Sequence, residues 1–207
     1  MNAGHHPIDC VLGVADTVAH RPVTATRDRL LRAAMALLLT RGYADTNIDR
    51  ICRAAGTSYT TFTNHFGRKR HIAHEVADTL ATRATHRISR TIPRDTDHLI
   101  TTLAIWASIL ATRPGWVSLE LALAALDDTS RTEVSDRVSV IGDALNELLT
   151  ATTSFDTSAP RIDVDLVVSF LLTVVIGMTV QHDNGIETTI SGIRPQIELI
   201  LRAAQLP

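Results

Sequence analysis

The stretch from Thr46 to Lys69, TNIDRICRAAGTSYTTFTNHFGRK, constrains this chain more than any other, because it reads as two short helices hinged at one glycine. Thr46 with Asp49 three residues later is a capping-box start in its acidic form, and Ile48, Ile51, Cys52 and Ala55 recur behind it at helical spacing. Gly56 stands where a left-handed residue ends such a helix. Ser58 is then placed to cap a second helix, its side-chain oxygen accepting from backbone N–H groups two or three residues on. Phe62, His65 and Phe66 fall on one side of that helix; Tyr59, Thr60, Thr61, Thr63 and Asn64 fall on the other. A short helix pinned by a few apolar residues and showing hydroxyls and an amide outward suits a DNA major groove, whose base edges offer donors, acceptors and thymine methyls.

The same residues resemble the TetR family of bacterial transcriptional regulators. That family's N-terminal pattern is a helix ending in G-Y or G-F, then T-x-x-x-I-x-x-x-A-G-x-S-x-x-T-x-Y-x-H-F-x-x-K. Gly42, Tyr43, Thr46, Ile51 in near register, Ala55, Gly56, Ser58, Thr61, His65, Phe66 and Lys69 match it. Thr63 stands where the family has a tyrosine that touches a DNA phosphate, and Arg68 where the family often has a serine cap. The resemblance implies an all-α fold with an N-terminal three-helix helix-turn-helix domain and a larger C-terminal helical domain for ligand binding and dimerisation. It also implies phosphate contacts from His65 and Lys69, to which the sequence adds Arg68. Thr46, Asn47 and Ser58, at the helix starts, complete the expected DNA-contacting set.

Charge divides along the chain. Residues 1–94 hold 14 Lys and Arg against 7 Asp and Glu, whereas residues 95–207 hold 6 against 15, so a net charge of −2 hides a basic first part and an acidic second part. Seven of the nine histidines also lie in the first part. Only the first part is therefore expected to meet a polyanion. The two cysteines, Cys10 and Cys52, are too few for a disulfide framework. The opening MNAGHHPIDC lacks the basic start and apolar run of a signal peptide, which points to the cytoplasm. The apolar run Leu166–Val180 is broken by Ser169, Thr173, Gly177 and Thr179 and reads as shorter than the roughly 18 to 20 residues of a membrane span, so no membrane is expected.

In chain order, residues 1–22 have no helical period and read as a mobile arm, with Arg21 able to follow a minor groove. Residues 23–70 form the reading domain. Its first helix starts at Thr24 or Thr26 and ends at Gly42, with Arg27, Arg29 and Arg32 near its start, where a helix disfavours cations unless a phosphate lies close. Arg68, Lys69 and Arg70 repeat that arrangement at the head of a helix running to about Thr91, at an N-terminus that favours anions. His71, His74, Glu75 and Asp78 on this helix have metal-ligand spacing, but three ligands on one face without a distant partner more often form a solvated polar face, so no metal is assigned.

Residues 71–207 then continue as helical stripes: Asp97–Thr112, Pro114–Leu126, Ser130–Thr150, Val164–Gln181 and a last one ending near Ala204, for about nine helices in all. Trp106, Ile109, Trp116, Leu119, Leu123, Leu145, Phe170, Val174 and Met178 could line one apolar cavity, with Glu120 and Asn146 to orient a small-molecule effector. Ile186, Ile190, Ile193, Ile197 and Ile200 form a packing seam that Pro195 should kink or restart. By the resemblance this seam, with Leu166 and Phe170, belongs to a homodimer interface. No Gly-rich phosphate loop, G-x-S-x-G elbow, H-E-x-x-H or paired-carboxylate motif is found, so no enzyme activity, catalytic residue or cofactor is expected. The expected function is a DNA-binding regulator, a dimeric repressor released from a palindromic operator by a small molecule; the alternative is a regulator of DNA without a ligand.

Overall fold

The computed structural model describes residues 22–112, 115–153, 164–183 and 190–203. These residues hold nine α-helices: α1 (Pro22–Arg41), α2 (Ile48–Ala55), α3 (Tyr59–Phe66), α4 (Lys69–Ser89), α5 (Thr96–Thr112), α6 (Trp116–Ala124), α7 (Asp128–Thr153), α8 (Val164–Asp183) and α9 (Ile190–Ala203). No strand occurs among them. The first helix begins at Pro22, earlier than its apolar stripe suggests, because proline suits a first helical turn, where its missing N–H has no partner to lose. Residues 1–21, with Arg21 and the expected arm, lie outside the described residues.

The N-terminal bundle is organised by α1, whose Leu30, Ala34 and Leu38 are fully buried where it packs on α2 and α4. Helix α4 carries Ile72, Val76, Leu80, Ala84 and Ile88 at four-residue steps, and all five are buried. That unbroken stripe lets one helix serve both parts of the molecule, since α4 packs on α1 and also on α6 and α7. Gly115 fixes a second junction. Its φ of 78° is left-handed, and a Cβ there would collide with the Leu39 carbonyl, so only glycine lets the start of α6 approach the end of α1 this closely.

Helix α5 packs between α8 and α9. Helix α9 contains Pro195 rather than starting anew there. Helix α8 corrects the sequence reading in another respect. Its window Val164–Gln181 spans 18 residues and is, by length and composition, long and apolar enough to cross a membrane. The apolar run Leu166–Val180 is shorter than this window, which takes in Val164 and Asp165 before it and Gln181 after it on the same helix. Only 33% of that window is buried within the chain, leaving Leu166, Phe170, Ile176 and Val180 exposed.

Candidate nucleic-acid interface

The two-helix unit is built from local chemistry. Asn47, not Thr46, is the N-cap of α2: its side-chain oxygen accepts from the Arg50 N–H at 2.9 Å. Gly56 ends α2 at φ 62° and ψ 45°, and the Thr57 N–H reaches back to the Cys52 carbonyl at 3.0 Å. Ser58 caps α3 by accepting from the Thr61 N–H at 3.2 Å, and the Cys52 thiol lies 3.5 Å from the Ser58 carbonyl, tying the turn to α2. Phe62 and Phe66 are buried with ring centroids 5.7 Å apart, which fixes the inner face of α3. Tyr59, Thr60, Thr63 and Asn64 are exposed on the outer face, while Thr61 and His65 are half-buried. Two of the hydroxyls are already engaged: Thr63 donates to the Tyr59 carbonyl at 3.0 Å, and Thr61 shares a 2.9 Å hydrogen bond with Ser58.

Thr46 is a correction. It is fully buried, and its hydroxyl lies 2.9 Å from the Gly42 carbonyl and 3.2 Å from that of Leu37, so it clamps the end of α1 instead of facing DNA. The cations also divide differently from the sequence reading. Arg27 donates to Glu75 at 2.6 Å and lies 4.9 Å from the centre of the Phe66 ring. Arg70 pairs with Asp127 at 3.0 Å. Lys69 donates to the Tyr43 carbonyl at 2.9 Å with its ammonium 3.9 Å from the centre of the Tyr43 ring, and burial lowers its pKa. These three cations thus have partners within the chain. Arg29, Arg32, Arg41, Arg50, Arg53 and Arg68 remain exposed. Residues 23–70 still carry nine Lys and Arg against three Asp, an excess that favours a polyanion.

A buried polar node joins α4, α6 and α7. Arg137 of α7, 8% exposed, donates to both carboxylate oxygens of Glu120 on α6, the shortest contact being 2.7 Å, and to Asp78 on α4 at 3.0 Å. Burial alone lowers the Arg137 pKa, but Glu120 and Asp78 more than reverse this, and the net shift is upward. The Trp116 indole N–H also donates to Glu120, at 3.2 Å. His74 of α4 lies 3.1 Å from the Ser130 hydroxyl and 2.7 Å from Glu133. Burial holds its pKa below the usual histidine value, outweighing the opposing pull of Glu133, so it is neutral at neutral pH. A neutral ring that donates from Nδ1 to Glu133 accepts from Ser130 at Nε2. That tautomer cannot also accept from Arg137, whose Nη1 lies 3.4 Å from Nδ1.

Glu120 is therefore a structural counter-ion of Arg137, not a free group awaiting an effector. Arg137 was not singled out from the sequence, though it stands on the buried stripe Val134, Ile141, Leu145 and Leu148, and a charge on such a stripe signals a buried partner. Trp116, Leu119, Leu123, Leu145 and Met178 are buried in the common core, whereas Trp106 and Val174 are half-buried. Asn146 donates to Asp165 at 2.7 Å on the surface, and Phe170 is exposed; neither lies in that core. The Ile109 side chain lies outside the described residues. A cleft of 600 Å³ opens instead between α4 and α7, lined in part by Asp78, Thr85, Glu133, Asp136 and Arg137. His71 and Glu75 do not join His74 and Asp78 around a metal position, and no group of three such ligands occurs among the described residues.

The isoleucine seam also splits. Ile193 and Ile197 are buried within the chain, where α9 packs on α5, and so are unavailable to a partner. Leu166 and Phe170 are exposed, and with Val174, Gln196, Leu199 and the half-buried Ile200 they line an apolar groove of 480 Å³ along α8 and α9. Ile186 and the Ile190 side chain lie outside the described residues.

Residues 30–76 match the bacterial regulatory proteins of the tetR family. Solved structures share the whole fold. GusR of Salmonella enterica superposes with a TM-score of 0.70 at 17% identity, over 88% of this chain and 98% of its own. The fatty acid degradation regulator FadR from Bacillus halodurans gives 0.69 at 16% identity, over 89% and 97%. A protein from Saccharomonospora viridis solved in complex with choline gives 0.70 at 20% identity, over 86% and 96%. No curated protein matches the chain in sequence.

Proposed function

Because the chain carries the DNA-binding module of the tetR family of bacterial regulatory proteins, we propose that it is a homodimeric, ligand-responsive repressor of a near-palindromic operator. One observation carries the reading: α3 is a capped helix whose inner face is locked by Phe62 and Phe66 and whose outer face presents Tyr59, Thr60, Thr63 and Asn64. No Arg or Lys stands on α3, so base preference comes from Thr methyls against thymine and from Asn64 against adenine, while the exposed arginines around it supply sequence-independent attraction. Ser58 acts as the helix cap that aims this face, and Asn47 and His65 flank it.

The groove along α8 and α9 supports a second copy as its occupant. An exposed apolar strip this long needs a cover in water, and a two-fold dimer presents two α3 helices one turn of DNA apart. A small molecule in the C-terminal part shifts the spacing of the α3 pair by moving α7 against α4, the helix whose first turn borders the reader. Such an effector must prefer the released state, since equal affinity for both states shifts nothing.

Selection of random duplex DNA by the purified protein, followed by titration of the recovered site at two salt concentrations, tests the reading. An inverted repeat bound with strong salt dependence is the expected result. Failure to enrich any sequence would remove the operator-binding function.

A further inference from the structure

We propose that the cleft between α4 and α7 binds an organic cation, and that this cation is the effector; the second half of the proposal rests on the ligand-responsive reading above. The cleft has 600 Å³, room for a small organic molecule, and its walls set the sign of charge it accepts. Three carboxylates line it, Asp78, Glu133 and Asp136, against one permanent cation, Arg137. That cation is already answered from behind, because Glu120 holds the Arg137 guanidinium through both carboxylate oxygens. The partner of Glu133 is His74, and a neutral His74 leaves the Glu133 charge intact. An anion entering here would meet the negative excess of the lining, carried chiefly by Glu133 and Asp136 on α7, whereas a cation would meet compensation.

The remaining chemistry separates an organic cation from a metal ion. No three ligating side chains converge among the described residues, so the carboxylates surround a space without focusing on a point. Thr82 and Thr85 of α4 also line the cleft. Apolar surface from Ala81 and Val140 completes the walls, suited to the hydrocarbon part of an ammonium or guanidinium compound.

The position also suits an effector. Asp78 and Glu133 are the groups through which α4 and α7 hold Arg137 and His74. A cation drawing on those carboxylates competes with the cross-links between the two helices. Closer to the reader, the same pair of elements meets again through Arg70 and Asp127, the residue that caps the start of α7 by accepting from the Ser130 N–H at 2.8 Å.

Calorimetric titration of the full chain with benzyltrimethylammonium and tetraethylammonium, and with benzenesulfonate as an anion of similar size, tests this. Both cations should bind and the sulfonate should not. Asp136→Asn and Glu133→Gln should each weaken cation binding about five- to tenfold. Asp136 is exposed, so that variant keeps its fold, and its thermal unfolding is recorded to show it. Absence of heat with both cations, equal binding of the sulfonate, or affinity unchanged in both variants would overturn the site. Operator titration with saturating cation separates the two halves: lowered DNA affinity is expected. Carboxylate-dependent binding that leaves DNA affinity unchanged would keep the cation site and sink its effector role.

Discussion

Arg137 and Glu120 face each other across α7 and α6 as a bidentate ion pair, with contacts of 2.7 to 3.2 Å and side chains only 9% and 14% exposed. Neither group is free to leave the other, because each would then be a charge without water or a full set of partners. Glu120→Ala should therefore cost about 3 kcal/mol of unfolding free energy in a urea titration, with Asp78 too exposed to take over the whole of the guanidinium. The double variant Arg137→Met with Glu120→Leu should recover most of that loss, since it removes both charges and keeps their volume. A loss below about 0.5 kcal/mol for Glu120→Ala would show the pair to be solvated.

Thr46 offers a contrasting case, a polar residue that the sequence assigned to DNA and the fold assigned to the core. Replacing it with valine preserves shape but leaves the Leu37 and Gly42 carbonyls without its hydroxyl. The expected cost is about 1 to 3 kcal/mol of stability, with operator affinity per folded molecule unchanged. Loss of DNA affinity at full folding would return Thr46 to the interface.

These two residues mark what could be read from sequence and what could not. Gly56, Ser58, Phe62 and Phe66 were legible because caps and helical faces depend on neighbours within four residues. Asn47 and Thr46 exchanged roles because either type can cap a helix, and only the backbone geometry chooses. Arg27, Lys69 and Arg70 looked like phosphate ligands because their partners Glu75, Tyr43 and Asp127 lie 26 to 57 residues away in sequence. In the same way, the spacing of Ile193 and Ile197 announced a buried stripe without saying that α5 would bury it.

His74 should give the stability curve a slope on the acid side of neutrality. Its folded pKa lies below the ordinary value near 6.5, chiefly through burial, so between those two values the unfolded chain binds a proton that the folded chain refuses. Stability is then fully present above about pH 6.5 and falls as pH drops toward the folded value, by no more than about 1.4 kcal/mol per pH unit. In His74→Gln that component should vanish. Denaturant titrations of both proteins from pH 7.5 to 5 make the comparison, and parallel curves would contradict the assignment.

Arg68 and Lys69 separate two functions that adjacency in sequence blurs. Arg68 is exposed at the N-cap of α4, so Arg68→Ala should weaken all DNA sequences alike and flatten the salt dependence by about one unit, with unfolding unchanged. Lys69→Ala also removes the hydrogen bond to the Tyr43 carbonyl and the ring contact, so it should lower stability by about 1 kcal/mol besides any change in DNA binding. Identical effects of the two variants on both measurements would refute this division.

The apolar strip of α8 makes the sharpest distinction between surfaces. Phe170 is 51% exposed and Leu166 66%, both on the groove along α8 and α9, whereas Ile197 is fully buried one layer deeper. A glutamate at Phe170 would place a charge in the proposed dimer contact while facing water in the single chain. Phe170→Glu should therefore sediment as a folded monomer with weakened operator binding, because the two α3 helices no longer act together. Ile197→Glu buries the same charge inside each chain and should unfold it outright, whatever the protein concentration. A dimeric Phe170→Glu protein would move the interface to another face. If Ile197→Glu instead gave a folded monomer, α9 would hold the partner through the residues that now pack on α5.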